Sequence, residues 1–241
     1  MIDIHSHILP CKGDDGSESM DNTLSMVLSA HHQGITSMFA TPHSEAFFRE
    51  DANIHLRFDV MRRSLRSVFP DMEFYLGCEI MLTASNIQDV VKALENGTLP
   101  TMGNRRVLVE FDEQVEKLTI SFCLSTLANA GFKPILAHIE RYVNLYDEFD
   151  YIYNLHKNGC LLQLNAYSLE DYGDVKIRDW ARQLIREKLV DFLGTDCHKT
   201  WYRPPSAEFA IQWIHDNCQD QEYINGLLHQ NATDLLIRKG R

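Results

Sequence analysis

Short apolar runs rich in β-branched and aromatic residues alternate along the chain with longer segments whose apolar residues recur at helical spacing. Because successive parallel strands need a crossover, usually a helix, this alternation predicts an α/β fold with parallel strands. No internal repeat or Pro/Gly/Ser-rich linker interrupts it, which predicts one domain over residues 1–241. The predicted helices lie near 19–33, 54–68, 86–95, 116–130, 148–158, 175–188, 206–217 and about 220–238. The predicted strands are Ile2–His5, Thr36–Ala40, Glu73–Glu79, Arg106–Phe111, Lys133–His138, Cys160–Asn165 and Val190–Asp196.

Two architectures fit this order of elements, a doubly wound open sheet and a closed barrel. The sequence contains neither GxGxxG nor GxxxxGK[ST], which argues against a nucleotide-binding fold. Every predicted strand leads into a polar residue at its carboxyl end, usually of a type that binds metals. An open sheet gathers such residues only near its switch point, whereas a barrel arranges all strand ends around one mouth. The pattern therefore predicts a barrel with several metal ions in its mouth.

The candidate metal ligands are imidazoles and carboxylates at these strand ends. His5 and His7 are two residues apart on an extended segment, so both side chains face the same way and can bind one ion. Asp196 and His198 repeat this spacing on the last strand. For any single candidate the alternative is a polar residue that hydrogen-bonds in a loop, and for Asp14 and Asp15 it is a turn with a helix N-cap. The full set is His5, His7, Asp15, His43, Glu79, Glu110, His138, Asp196 and His198.

Ligands of this kind suit manganese, iron or zinc. Nine are too many for one ion, but with bridging carboxylates they fit three divalent ions. Three such ions outweigh the four carboxylates, and Arg141 and Arg203 follow candidate ligands closely enough to add two positive charges. The mouth would then be cationic and suited to a phosphate dianion.

Composition narrows the classes of function. The 241 residues carry 23 Lys and Arg against 34 Asp and Glu, a net charge of −11, which argues against nucleic acid as the main ligand. No apolar stretch approaches the roughly 18 residues of a membrane span. The amino-terminal segment does not resemble a secretion signal, and the six cysteines form no CxxC pair. These features lead us to expect a cytoplasmic protein with reduced thiols.

Cys197 and Arg203 form a C-x5-R spacing, which is also found in cysteine-dependent phosphatases. That chemistry needs a thiolate of low pKa in a loop whose backbone amides surround phosphate. The loop here has no glycine, and Cys197 lies between two candidate ligands. We therefore favour a buried structural role for Cys197, with the nucleophilic role as the alternative.

The motifs at the strand ends resemble those of the PHP (polymerase and histidinol phosphatase) superfamily. More narrowly, they resemble bacterial manganese-dependent tyrosine-protein phosphatases of the CpsB/YwqE type, linked to capsule and exopolysaccharide synthesis. The resemblance runs from residue 2 to about 206, and RPP at 203–205 also belongs to it. The motifs are DIHSH at 3–7, DDG at 14–16, TPH at 41–43, GCE at 77–79, VEF at 109–111, AHIERY at 137–142 and DCH at 196–198.

The resemblance implies a distorted seven-stranded (β/α)7 TIM-like barrel of the PHP type with three metal ions, most typically manganese. Arg141 and Arg203 match the phosphate-binding arginines of that family. The loop before Asp14 is one residue longer than usual, so the choice between Asp14 and Asp15 stays open. The implied ligand sets are His5, His7, Glu79 and Asp196 for the first ion, Glu79, Glu110 and His138 for the second, and Asp15, His43 and His198 for the third.

The activity implied by the resemblance is hydrolysis of phosphotyrosine on a protein. A metal-bridging hydroxide would attack phosphorus, Arg141 and Arg203 would bind the phosphoryl oxygens, and water beside Asp15 or His198 would supply a proton. The expected partner is a bacterial tyrosine autokinase, and a homo-oligomer is a further expectation. The aromatic side chains available to pack on a substrate ring are Phe48, Trp201 and Tyr202.

Three other functions remain open. A PHP histidinol phosphatase would use the same chemistry on a small metabolite, but that branch usually has a third histidine where this chain has Asp14-Asp15-Gly16. An amidohydrolase or nuclease on a related barrel would often need an eighth strand and a bridging lysine. A metal-binding module without activity would not need the two arginines.

Overall fold

The computed structural model describes residues 1–236, which form eight β-strands in two parallel sheets. The strands consist largely of buried apolar residues, as expected for parallel strands that are covered on both faces. The first sheet has the order β1-β2-β3 and the second the order β4-β5-β6-β7-β8. The strands are β1 Ile2–Ser6, β2 Ser37–Ala40, β3 Glu73–Leu76, β4 Glu79–Met81, β5 Arg106–Glu110, β6 Lys133–Leu136, β7 Leu161–Asn165 and β8 Phe192–Gly194.

The α-helices fall close to their predicted positions because their apolar residues recur at the spacing of one buried helix face. Two of the helices begin after a residue of a type that favours the N-cap position. Ser19 accepts a hydrogen bond from the Asn22 amide, and Asp174 accepts one from the Lys176 amide. A π-helix, Gly226–Gln230, joins the last two helices, and the end of the predicted tail lies outside the described residues. The helices are α1 Met20–His32, α2 Ile54–Val68, α3 Ile87–Glu95, α4 Lys117–Asn129, α5 Phe149–Lys157, α6 Val175–Arg186, α7 Glu208–Asn217, α8 Gln221–Asn225 and α9 Asn231–Leu236.

The α/β class with parallel strands is confirmed, but the seven-stranded barrel is not. The third predicted strand, Glu73–Glu79, is two strands in the structure, because the chain leaves β2 at Gly77 and pairs with β5 from Glu79 onward. A Cβ atom at Gly77 would lie 2.9 Å from Met102 Cε, so a larger residue at this crossing point would displace the end of the methionine side chain.

Backbone contacts join the two sheets at the carboxyl ends of their strands. The Asp196 amide donates to the His5 carbonyl at 2.8 Å, and the His7 amide donates to the Cys197 carbonyl at 2.8 Å. A further bridge pairs His43 with Glu79. The polar residues at the carboxyl ends of β1, β2 and β8 and at the start of β4 are therefore held close to one another.

An apolar cluster fills the space between the sheets. Ile4 and Phe39 come from the first sheet, Leu108 and Ile135 from the second, and Leu235 of α9 packs against them. A larger cluster lies between the strands and the surrounding helices. Because both sheets contribute to the inner cluster, the packing holds their strand ends at one face of the molecule. Within residues 1–236, no helix is both long and apolar enough to cross a lipid bilayer.

Candidate metal centre

Four buried side chains converge where the first and last strands meet. The Nε2 atoms of His5 and His7 lie 3.4 Å apart, and each lies 3.1 Å from one carboxylate oxygen of Glu79. Asp196 Oδ1 lies 3.5 Å from both imidazole nitrogens. One donor atom from each of the four therefore falls within 4.8 Å of the others, as the ligands of one ion would.

Glu79 also faces the end of β5. His138 Nε2 lies 3.1 Å from Glu79 Oε1 and 3.4 Å from Glu110 Oε2. On the other side, His43 Nδ1 lies 3.3 Å from Glu79 Oε2 and 3.4 Å from Glu110 Oε1. Glu79 thus stands between two groups of donors, which is the position of a bridging carboxylate.

The remaining candidates form a third group nearer the surface. Asp15 Oδ1 lies 3.0 Å from His198 Nε2 and 3.3 Å from His43 Nε2. His7 stacks on His198 with ring centroids 4.0 Å apart, and its donor atom belongs to this group as well. The structure therefore brings together all nine residues that the sequence singled out as candidate ligands.

Asp14 and Asp15 have different surroundings. Asp14 is buried behind His7, where its Oδ1 lies 2.9 Å from His7 Nδ1 and accepts a hydrogen bond from the His43 amide at 2.9 Å. The side chain of Asp15 is 62% exposed and turns toward His43 and His198. Asp15 therefore has the geometry of a ligand, and Asp14 that of a residue that orients one.

The burial of several ionisable groups in this cluster has an electrostatic cost that a bound cation would lower. Burial opposes protonation of His7 and His138, but the facing carboxylates outweigh it and raise the pKa of each to about 10. Burial also opposes ionisation of Glu79, yet the surrounding imidazoles hold its pKa well below the usual value. Protons and divalent ions compete for such donors, and nitrogen and oxygen ligands of this kind suit manganese, iron or zinc. The residues present thus fit a group of divalent ions.

A chain of buried amides on β7 supports the ligands from behind. Gln163 Oε1 lies 3.1 Å from His5 Nδ1 and accepts a hydrogen bond from the His138 amide. Gln163 Nε2 donates to Asn165 Oδ1, and Asn165 Nδ2 donates to Asp196 Oδ2 at 3.0 Å. From the sequence, Asn165 was placed at the carboxyl end of a predicted strand, and Gln163 was not singled out. A polar side chain two residues before Asn165 in an apolar strand was the available signal, because residues i and i+2 share a face.

Backbone strain marks the same region. His138, Asp196 and Arg203 have φ values of 34°, 50° and 51°, in the left-handed region that non-glycine residues rarely adopt. Such residues persist only where surrounding contacts hold them, and they concentrate at functional sites. A Cβ atom at Gly194 would lie 2.7 Å from His5 Cβ, so β8 needs glycine to bring Asp196 next to β1.

Both arginines that were predicted to bind phosphate lie beside the candidate metal ligands. Arg203 Nη1 donates to Asp196 Oδ2 at 3.0 Å, and its Nη2 lies 2.6 Å from His198 Nε2. Arg141 Nη1 lies 3.8 Å from the same Asp196 oxygen. Two guanidinium groups therefore flank Asp196 from different loops, as a clamp on a bound anion would require.

Cys197 has the surroundings of a structural residue. Its side chain is fully buried behind Asp196 and His198, and burial raises the pKa of the thiol well above its usual value. A thiol in this state is a poor nucleophile, because the thiolate is the reactive form.

Known proteins resemble this chain over nearly its whole length. A family described as capsular polysaccharide synthesis, CpsB/CapC, matches residues 1–237. The tyrosine-protein phosphatase CpsB of Streptococcus pneumoniae is 31% identical over 89% of each chain, and CpsB of Streptococcus agalactiae is 29% identical over 98% of each.

A solved structure from work on YwqE of Bacillus subtilis and CpsB of S. pneumoniae, named there as metal-dependent tyrosine phosphatases, superposes with a TM-score of 0.83. It is 24% identical and covers 98% of this chain and 94% of its own, which is evidence for a shared fold. The motifs at the strand ends, the profile match over residues 1–237 and the relative at 31% identity agree, and the chain belongs to the CpsB/CapC family of capsular polysaccharide synthesis proteins.

Proposed function

We propose that this protein is a metal-dependent phosphatase that hydrolyses phosphotyrosine on proteins and acts in the control of capsule or exopolysaccharide synthesis. The observation that carries the proposal is the convergence of nine imidazole and carboxylate ligand candidates beside two arginines. The names of the CpsB relatives support the choice of phosphotyrosine as substrate. The proposed partner is a bacterial tyrosine autokinase, whose phosphorylated tyrosines would be the substrate.

The proposed cofactor is three divalent ions, with manganese first and iron or zinc as alternatives. The contacts between the two sheets support a distorted barrel formed by one domain, with these ions in its mouth. The ligand set inferred for the second ion includes His43 in addition to the residues implied by the resemblance, and that for the third includes His7. The proposed sets are His5, His7, Glu79 and Asp196; His43, Glu79, Glu110 and His138; and His7, Asp15, His43 and His198.

The residues of the chain have distinct roles in the proposed reaction. Divalent ions, when bound, lower the pKa of water and accept charge from phosphoryl oxygens. Arg141 and Arg203 bind the phosphoryl oxygens from two sides and stabilise the charge that grows on them. The tyrosine leaving group has a pKa of about 10 and needs little protonation. The exposed carboxylate of Asp15, with His198 beside it, orients the water that supplies that proton.

Substrate and metal dependence can be tested on the same sample. Full-length protein should hydrolyse a phosphotyrosine peptide, lose this activity after chelation and regain it best with manganese. Histidinol phosphate serves as the competing substrate, because a PHP histidinol phosphatase would prefer it. Full activity in protein shown by elemental analysis to be free of metal would refute the proposal.

A further inference from the structure

A tight turn with two exposed aromatic side chains lies between His198 and Arg203. We call residues 198–203 the aromatic turn. The His198 amide donates to the Arg203 carbonyl at 2.9 Å, and Lys199 and Tyr202 exchange backbone hydrogen bonds at 3.0 and 3.3 Å. Trp201 is 75% exposed and Tyr202 is 54% exposed. Large apolar side chains on a surface next to a polar site commonly mark where a ligand binds.

The aromatic turn is fixed on both sides. Lys199 pairs with Glu18 of the β1–α1 loop, and its ammonium group lies 5.2 Å from the centre of the Trp201 ring. After the turn, the Pro205 carbonyl accepts a hydrogen bond from Gln33 Nε2 at 2.7 Å. The backbone that carries the two rings is therefore held in place, so a ligand that packs on them does not have to order this turn.

The two rings lie close enough to Arg203 to contact the alcohol group of a phosphate monoester bound there. The Arg203 guanidinium lies 5.5 Å from the centre of the Tyr202 ring, and the two aromatic rings lie 6.1 Å apart. A phosphate held by Arg203 has its ester oxygen and the first carbon of its alcohol group within a few bond lengths. If that alcohol is a phenol, its ring is within reach of the Tyr202 ring.

We propose that the aromatic turn, through Tyr202 and Trp201, packs against the phenyl ring of the substrate and makes the site selective for aryl over alkyl phosphates. The inference rests on the proposed function, because it assumes that Arg203 binds the phosphate of a monoester. The occupant fits chemically, since aromatic rings stack favourably on each other and a serine or a short alkyl chain offers little area for this contact.

Binding of non-hydrolysable ligands tests the aromatic turn without turnover. We expect the manganese-loaded protein to bind phenylphosphonate about three- to tenfold more tightly than methylphosphonate, which is the effect of one or two aromatic contacts. Calorimetry should show that Tyr202→Ala removes this difference and Tyr202→Phe keeps it. The matched control is Tyr153→Ala, which removes a similarly exposed ring from α5 and should leave the preference unchanged. An unchanged preference in Tyr202→Ala and in the double variant Trp201→Ala/Tyr202→Ala would overturn the inference.

Kinetics give the second measurement. With a phosphotyrosine peptide, Tyr202→Ala should raise KM by about three- to tenfold and leave kcat nearly unchanged, because binding to the ring is the same in ground and transition states. An equal loss of affinity for both phosphonates would mean that the variant disturbs Arg203, and it would overturn the inference. Failure of the wild type to hydrolyse the peptide would refute the proposed function, while the phosphonate preference would still decide the role of the turn.

Discussion

At the scale of single residues, the site assigns different tasks to chemically similar side chains. Asp14 and Asp15 are adjacent carboxylates, yet one lies behind His7 and the other faces His43 and His198. Arg203 and Arg141 approach the same oxygen of Asp196 from different loops. The two adjacent aspartates therefore have different roles, whereas the two arginines, which are far apart in sequence, have the same role.

The two aspartates can be separated by substitution. Asp15→Asn should remove a ligand, so both the metal content and the phosphatase activity should fall. Asp14→Asn keeps a hydrogen-bond acceptor near His7 and should retain all the metal, with metal affinity lowered by about tenfold or more, as expected when a residue that orients a ligand is changed. Elemental analysis and a chelator titration of both variants measure this. The reverse order of metal loss would show that Asp14 is the ligand.

Arg203 should act on the substrate and not on the metal. Arg203→Ala should leave metal content and melting temperature nearly unchanged, while kcat falls by about 10²–10³, the effect of losing one strong electrostatic contact to the transition state. Glu79→Ala is the comparison, because loss of a bridging carboxylate should lower activity and metal count together. If Arg203→Ala loses metal and Glu79→Ala does not, the two roles are interchanged.

The buried thiol gives a further expectation. Cys197→Ser should keep most of the activity, because the side chain is fully buried and its pKa is raised, and neither property suits a nucleophile. Steady-state kinetics and thiol alkylation on wild type and variant measure this. A variant with its full metal content but no activity, together with a trapped phosphocysteine in the wild type, would establish the cysteine mechanism instead.

At the scale of elements, β7 acts as a support for ligands on other strands. Gln163 and Asn165 share one face of this strand and reach His5, the His138 amide and Asp196. An apolar strand with two buried amides two residues apart thus fixes ligands that come from β1, β6 and β8. The strand itself contributes no candidate ligand.

A substitution on β7 should therefore weaken metal binding without unfolding the protein. Gln163→Met keeps the length of the side chain but removes the acceptor near His5, and metal affinity should fall by about 10- to 100-fold. Gln212→Met, on the exposed face of α7, is the matched control and should bind metal as the wild type does. Competition with a chelator measures both affinities. Equal affinities would mean that Gln163 only fills space.

At the scale of the whole molecule, the sequence predicted most of the framework and the nine candidate ligands. Helical spacing and apolar runs locate elements well because helices bury one face and parallel strands bury both. The crossing at Gly77 was not predictable, since GCE continues the apolar run and the change of pairing partner from β2 to β5 appears only in three dimensions. Gln163 was also missed, because its role depends on β1 and β6, which the sequence alone does not align with β7.

The protonation of the histidines in the site should affect the thermal stability of the whole protein. The folded-state pKa values of His7 and His138 are about 10, above the unfolded value of about 6.5, so the folded state binds more protons between these limits. The stability that these imidazoles contribute is complete below about pH 6.5 and is lost as the pH rises toward 10. The melting temperature of metal-free protein should therefore fall by several degrees over this range.

Manganese should reverse the trend, because metal binding displaces these protons and becomes tighter as the pH rises. Thermal unfolding with chelator and with excess manganese, recorded at matched pH values, measures the difference, which should widen from pH 6.5 to 9. Parallel curves with and without manganese would contradict the assignment of these imidazoles as ligands.

The pairing of β1 with the segment after β8 has a consequence for how the protein is made. His5 and His7 are translated about 190 residues before Asp196 and His198, the partners that complete their group. Until Asp196 and His198 are translated, a nascent chain holds only part of the site, and its imidazoles lack the donors needed to bind an ion with full affinity. Metal capture is therefore expected only after β8 and the residues that follow it have been translated, and a chain stopped before β8 should neither load metal nor hold its amino-terminal strand in place.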